Sequence, residues 1–125
     1  MKRIIHTSDA PAAIGPYSQA VEVGNTLYVS GQIPLNPQTM KLVEGDIQEQ
    51  TEQVLKNIGA ILKEAGYQFS DVVKSNCLLS DMANFKAMNE VYARYYPENA
   101  PARAAFAVKD LPMGALIEIE TIAAK

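Results

Sequence analysis

The feature that most constrains this chain is an imbalance between its two periodicities. Two segments carry a helical stripe, while five or six read as strands. In the first helix, apolar residues fall at Ile47, Val54, Leu55, Ile58, Ile61, Leu62 and Ala65, one face of a 3.6-residue repeat. Asp46 followed by Glu49 predicts an N-cap with its capping-box partner, and Gly66 is placed to end the helix. The second stripe runs through Met82, Phe85, Met88, Val91, Tyr92 and Tyr95, with Ser80-Asp81 as its cap and Pro97 as its stop. Around these helices lie short alternating or β-branched runs. Gln19–Val23 and Leu27–Gly31 flank Gly24-Asn25 and predict a hairpin. Val72–Leu79, Arg103–Val108 and Leu116–Ala123 complete the set, with a short extra strand at Lys2–Ile5. The order (β)ββαβαββ predicts an α+β sandwich, one five- or six-stranded sheet with both helices on one face. At 125 residues the expectation is a single domain, 1–125.

Composition narrows the function classes. The net charge of −3 and the scattered Lys and Arg give no electrostatic reason to bind nucleic acid, which usually takes a basic stripe. One cysteine, Cys77, and one histidine, His6, cannot build a cysteine- or histidine-based metal site, so no metal and no cofactor are expected. Cys77, in mid-strand, reads as a small buried hydrophobe and His6 as a structural or surface residue. The start of the chain turns polar too early for a secretory leader, and no apolar run is long enough to cross a membrane. A cytoplasmic protein is the expectation.

Two helices can cover only one side of a sheet, so the other side is informative. In the last strand Ile117 and Ile119 point one way, Glu118 and Glu120 the other. In the strand before it, Phe106 and Val108 share a face, opposite Arg103, Ala105 and Ala107. Placing the large apolar sets under the helices leaves Arg103, Glu118 and Glu120 together on the far face, beside Leu116 and Ile122. A face of that mixed character predicts partial burial against other copies of the chain. From alternation alone, Arg103 and Glu118 read as a cross-strand ion pair on a solvated face, and Glu120 as a surface carboxylate.

Four separated stretches resemble one family. Ala10-Pro11-Ala12-Ala13-Ile14-Gly15-Pro16-Tyr17-Ser18-Gln19 is similar to the N-terminal signature of the Rid proteins (reactive intermediate deaminases, YjgF-like). Ser30-Gly31-Gln32-Ile33-Pro34 resembles the second motif and Asn89-Glu90-Val91-Tyr92 the third. Pro101-Ala102-Arg103, Leu111-Pro112 and Ile117-Glu118-Ile119-Glu120 resemble the C-terminal signature. The likeness covers nearly the whole chain. It implies a chorismate-mutase-like fold, a homotrimer with clefts between subunits, and hydrolysis of 2-imino acids such as those derived from 2-aminoacrylate and 2-aminocrotonate. On that resemblance Arg103 clamps the substrate carboxylate with a planar fork. Glu118 activates water, and Tyr17 assists at the imine nitrogen or the water. Ser30, Gly31, Asn89 and the Ala105 main-chain N–H are the further expected binding groups.

The resemblance departs at one point. Many Rid relatives carry Ser-Cys after the motif arginine, where this chain has Ala104-Ala105, so no thiol contributes there. Two other readings stay open on the sequence. One is a non-enzymatic module binding small carboxylates. The other is an endoribonuclease, against which the acidic balance and the lack of a histidine pair both count.

Overall fold

The computed structural model describes residues 1–125. Strands β1 (Lys2–Ile5), β2 (Ala20–Val23) and β3 (Thr26–Gln32) precede helix α1 (Ile47–Ala65). Strand β4 (Val72–Leu79), helix α2 (Phe85–Tyr95) and strands β5 (Ala102–Ala107) and β6 (Ile117–Ala124) follow. All six strands join one sheet in the order β1-β2-β3-β6-β4-β5. Only β4 and β5 run parallel; the sheet is therefore mixed. The β2–β3 hairpin turns on Gly24-Asn25, with Gly24 at φ +59°, the conformation such a tight turn demands.

Helix α1 forms for the reasons its sequence suggests. The Asp46 carboxylate accepts from the Gln48 and Glu49 N–H groups, Glu49 reaches back to the Asp46 N–H, and Gly66 closes the helix in the left-handed region. Its whole stripe is buried. Helix α2 starts later than its stripe suggests. Asp81 caps a separate 3-10 turn, Met82–Asn84, and the α-helix begins at Phe85. It ends before Pro97, as the restriction on a residue preceding proline requires. The buried cluster joins Val54, Leu55, Ile58 and Leu62 of α1 and Met88 and Val91 of α2 to Leu27, Cys77, Leu79, Ile117 and Ile119 of the sheet. No helix is long and apolar enough to cross a membrane.

One face assignment is corrected. Arg103, Ala105 and Ala107 stand opposite Ser75, Cys77 and Leu79, and Cys77 and Leu79 stand opposite Ile119 and Ile117. Arg103 therefore lies on the helix-covered side, whereas Glu118 and Glu120, paired with Leu78 and Asn76, lie on the open side. Phe106 goes with them and is 48% exposed. The rule that large apolar residues sit under the helices fails because α2 packs over the small Ala105 and over Arg103, whose guanidinium lies on the rings of Phe85 and Tyr92. The register permits no Arg103–Glu118 cross-strand pair. Leu116 also packs against the core rather than the open face, while Ile122 sits on the open face opposite Tyr28.

Candidate active site: two grooves on opposite sides of the sheet

The expected site residues separate into two groups. The first lines a groove at the open face: Tyr17, Ser30, Gly31, Ile33, Pro112, Glu118 and Glu120. A β-bulge builds it. Val29 pairs with Thr121 and Gln32 with Ile119, so Ser30 and Gly31 together oppose Glu120. Bulges of this kind re-aim side chains. The bulge brings the Gly31 backbone against the Glu118 carboxylate. A Cβ on Gly31 would lie 2.9 Å from Glu118 Cδ and collide with Oε2. The room that glycine provides is thus taken by Glu118 itself.

Glu118 is half-buried and has no hydrogen-bond partner within the chain. Burial first, and the neighbouring Glu120 charge second, push its carboxyl above the usual carboxylate range. Arg103 is on the other side of the sheet and offsets neither. Glu120 is exposed and accepts a 2.8 Å hydrogen bond from Asn76 Nδ2, in keeping with a surface carboxylate that also sets the local field.

Tyr17 stands at the rim, 54% exposed, on a loop tied down from behind. Buried Gln19 accepts from the Thr7 N–H at 2.8 Å and donates to the Pro11 carbonyl at 2.8 Å. Ser30 Oγ donates to the Ser18 carbonyl at 2.6 Å. The Ser30 hydroxyl is therefore engaged in fixing the Tyr17 loop.

The second groove is a cleft on the helix side, lined by Asn89, Tyr92, Ala93, Tyr96, Ala100, Pro101 and Arg103. Arg103 Nη1 donates to Asn89 Oδ1 at 2.7 Å. The guanidinium carbon lies 4.9 Å from the Tyr92 ring centre and 5.5 Å from that of Phe85. Phe85, Asn89 and Tyr92 recur along one face of α2, so one helical stripe holds the cation from three sides. In the sequence Phe85 and Tyr92 belong to the apolar stripe of the second helix, and their spacing from Asn89 is the signal that places them beside it. The Val108 N–H bonds to the Leu79 carbonyl. Strand alternation from that bond turns the Ala105 N–H toward the free edge of β5, available to a ligand.

Cys77 is buried and free. Burial pushes its thiol up to about 11, with Arg103 countering only in part, so it remains a protonated core group. His6 is exposed and lines neither groove.

Comparisons with known proteins agree with this architecture. Residues 7–125 match the family described as Endoribonuclease L-PSP. The human 2-iminobutanoate/2-iminopropanoate deaminase is 51% identical over 123 residues, covering 98% of this chain and 90% of its own. A solved Thermotoga maritima structure superposes with a TM-score of 0.98 at 53% identity, covering 100% of this chain and 98% of that one. E. coli TdcF, solved with serine bound, gives a TM-score of 0.94 at 38% identity over 98% of each chain. By family match, sequence identity and element order, the chain belongs to the Rid (YjgF-like) family.

Proposed function

We propose that this protein is a cytoplasmic imine deaminase that hydrolyses 2-iminobutanoate and 2-iminopropanoate to the 2-keto acids and ammonia. The observation that carries the reading is a complementary pair of groups in a chain half identical to named deaminases. One is a guanidinium held on three sides, the other a half-buried carboxylate with no partner. The serine bound by TdcF is a 2-amino acid, and its α-carboxylate is the group an arginine fork would hold.

In this scheme Arg103 takes the substrate carboxylate on the guanidinium edge not used by Asn89. The Ala105 N–H is placed to share that load. Glu118 removes a proton from water as the water oxygen bonds to the C=N carbon, and passes that proton to the imine nitrogen, leaving a neutral carbinolamine and an ionised Glu118. Glu118 then takes the carbinolamine hydroxyl proton and delivers it to the amine nitrogen. The C–N bond breaks, its electron pair leaves with ammonia, and the carbon becomes a ketone. Tyr17 hydrogen-bonds the nitrogen or the water. A raised carboxyl suits an acid–base group that must gain and lose a proton in one cycle. No cofactor is invoked.

The two grooves lie on opposite sides of one sheet, so the scheme joins Arg103 of one subunit to Glu118 of its neighbour. A homotrimer with three such clefts is the assembly we propose. The uncovered Ile4, Tyr28 and Phe106 on the open face support burial against another copy.

The test couples a threonine dehydratase to this protein and follows imine decay by semicarbazide trapping. Wild type should shorten the imine lifetime. Arg103→Ala should lower kcat/KM roughly 10- to 100-fold, the loss expected for charge-assisted hydrogen bonds. Equal acceleration by both proteins would remove Arg103 from the scheme. Binding of 2-oxobutyrate with no acceleration at all would leave a carboxylate-binding module instead.

A further inference from the structure

Beneath the Arg103 cleft lies a feature that the reaction scheme does not use. Five buried side-chain oxygens in the molecule lack a hydrogen-bond partner. Four of them are the hydroxyls of Ser75, Tyr92, Tyr96 and Thr121. Their residues are 0%, 5%, 7% and 2% exposed. Ser75 stands directly opposite Thr121 on one side and Arg103 on the other. The Tyr92 and Tyr96 rings lie 4.7 Å apart, and both phenols lie close enough to Ser75 to feel its hydroxyl. Isolated buried hydroxyls are costly, and native interiors almost always satisfy them. A hydroxyl both donates and accepts, so four neighbours with no direct bond between them can be linked around one enclosed water. Linked in this way, they become cooperative and rigid.

We propose that these four hydroxyls form one closed hydrogen-bonded cluster that fixes the Tyr92 ring as the platform for the Arg103 guanidinium, making Tyr92 a positioning residue. The ring touches the cation and the hydroxyl reaches the cluster. Removing a hydroxyl two strands away should therefore be felt at Arg103. The link to catalysis rests on the deaminase reading above; the link between cluster and arginine does not.

Thr121→Val is the discriminating variant, because it keeps shape, loses one hydroxyl and touches neither groove. Ser75→Ala and Tyr92→Phe are its companions. The first readout is the Arg103 Nε–Hε resonance, identified by its loss in Arg103→Lys. In wild type the ring current of Tyr92 should displace it from the Arg94 signal. In all three variants it should move back toward that signal. The second readout is the coupled assay. KM should rise about fivefold, the loss of one hydrogen bond's worth of positioning, with kcat nearly constant. Tyr92→Leu, which removes the platform, should raise KM further, and Tyr92→Phe should recover part of that loss.

An unmoved Arg103 resonance in Thr121→Val and Ser75→Ala, with only the melting temperature lowered, would reduce the cluster to a structural role and overturn the proposal. A displaced resonance with unchanged KM would overturn its bearing on the reaction. Failure of the deaminase reading would appear elsewhere, as a wild type that neither binds 2-oxobutyrate nor accelerates hydrolysis, and the resonance would still decide the cluster.

Discussion

The two grooves differ in how their key charge is held. Arg103 is held by a side-chain acceptor at 2.7 Å and two aromatic faces. Glu118 is held only by its strand and by the Gly31 bulge, with both oxygens free of hydrogen bonds and its proton affinity raised. A group that must bind and orient gains from rigidity. A group that must exchange protons gains from being unpaired, since each hydrogen bond to the carboxylate would lower its basicity. In the proposed scheme the difference divides the labour: recognition on the helix side, proton transfer on the open side. Each chain would then hold two incomplete halves.

The largest effect tests that division. Alone, the Arg103→Ala protein should fall roughly 10- to 100-fold in kcat/KM and the Glu118→Gln protein further. Loss of an acid–base group commonly costs about 10²- to 10⁴-fold. Unfolded together and refolded as mixed trimers, they should regain about a quarter of wild-type activity, because one cleft in four would draw an intact half from each parent. No recovery in verified mixed trimers would mean that both halves serve within one subunit, which the sheet register opposes. A smaller loss is expected from Gly31→Ala. The added methyl must displace the Glu118 carboxylate, so kcat should fall roughly tenfold or more, as misplacement of a catalytic group predicts. Binding of 2-oxobutyrate at Arg103 should change little. Equal damage to both would mean that the grooves are not independent.

Local rules carried most of the fold into the sequence. The Asp46–Glu49 box, Gly66 and the Gly24-Asn25 turn each act through a few neighbouring atoms, and each stands where its pattern indicates. The face of β5 was not legible. Alternation states which residues share a side, but which side meets the helices depends on the parallel register with β4 and on how closely α2 approaches. Phe106, the largest residue in the strand, was the misleading signal. In the proposed assembly a second copy would cover it. Gly31 is legible as a binding group, but the group against its backbone is Glu118. The bulge opposite Glu120 has no sequence marker beyond that glycine. Tyr92 was hidden for another reason: a buried aromatic on a helical stripe looks the same whether or not a cation lies on its ring.

A further effect concerns pH. The ascending limb of kcat/KM should follow ionisation of Glu118 and so lie above the usual carboxylate range. Glu120→Gln removes a like charge, so Glu118 should ionise at lower pH and the limb should move to lower pH. Glu120 makes no contact with Arg103 within the chain and its loss removes a negative charge, so the affinity for 2-oxobutyrate at neutral pH should not fall. An unmoved limb would assign the titration to another group.

The smallest effect is on stability, where the two grooves should differ in sign. Arg103 contributes packing on two rings and a charge-assisted hydrogen bond to the folded state. Arg103→Ala should cost about 1–3 kcal/mol, a melting temperature lower by several degrees at this chain length. Glu118 has the opposite linkage. A carboxyl raised in the folded state binds its proton more tightly there than in the unfolded chain. Its contribution to stability is therefore full below the unfolded value and is lost as pH rises through the folded one. At neutral pH the charged Glu118 opposes folding. Glu118→Gln should melt no lower than wild type at pH 7, while at pH 4 the difference should shrink. A Glu118→Gln protein that is destabilised at pH 7 would mean that the carboxylate has partners in the assembled protein. The contrast between a held cation and a free carboxylate would then be limited to the single chain.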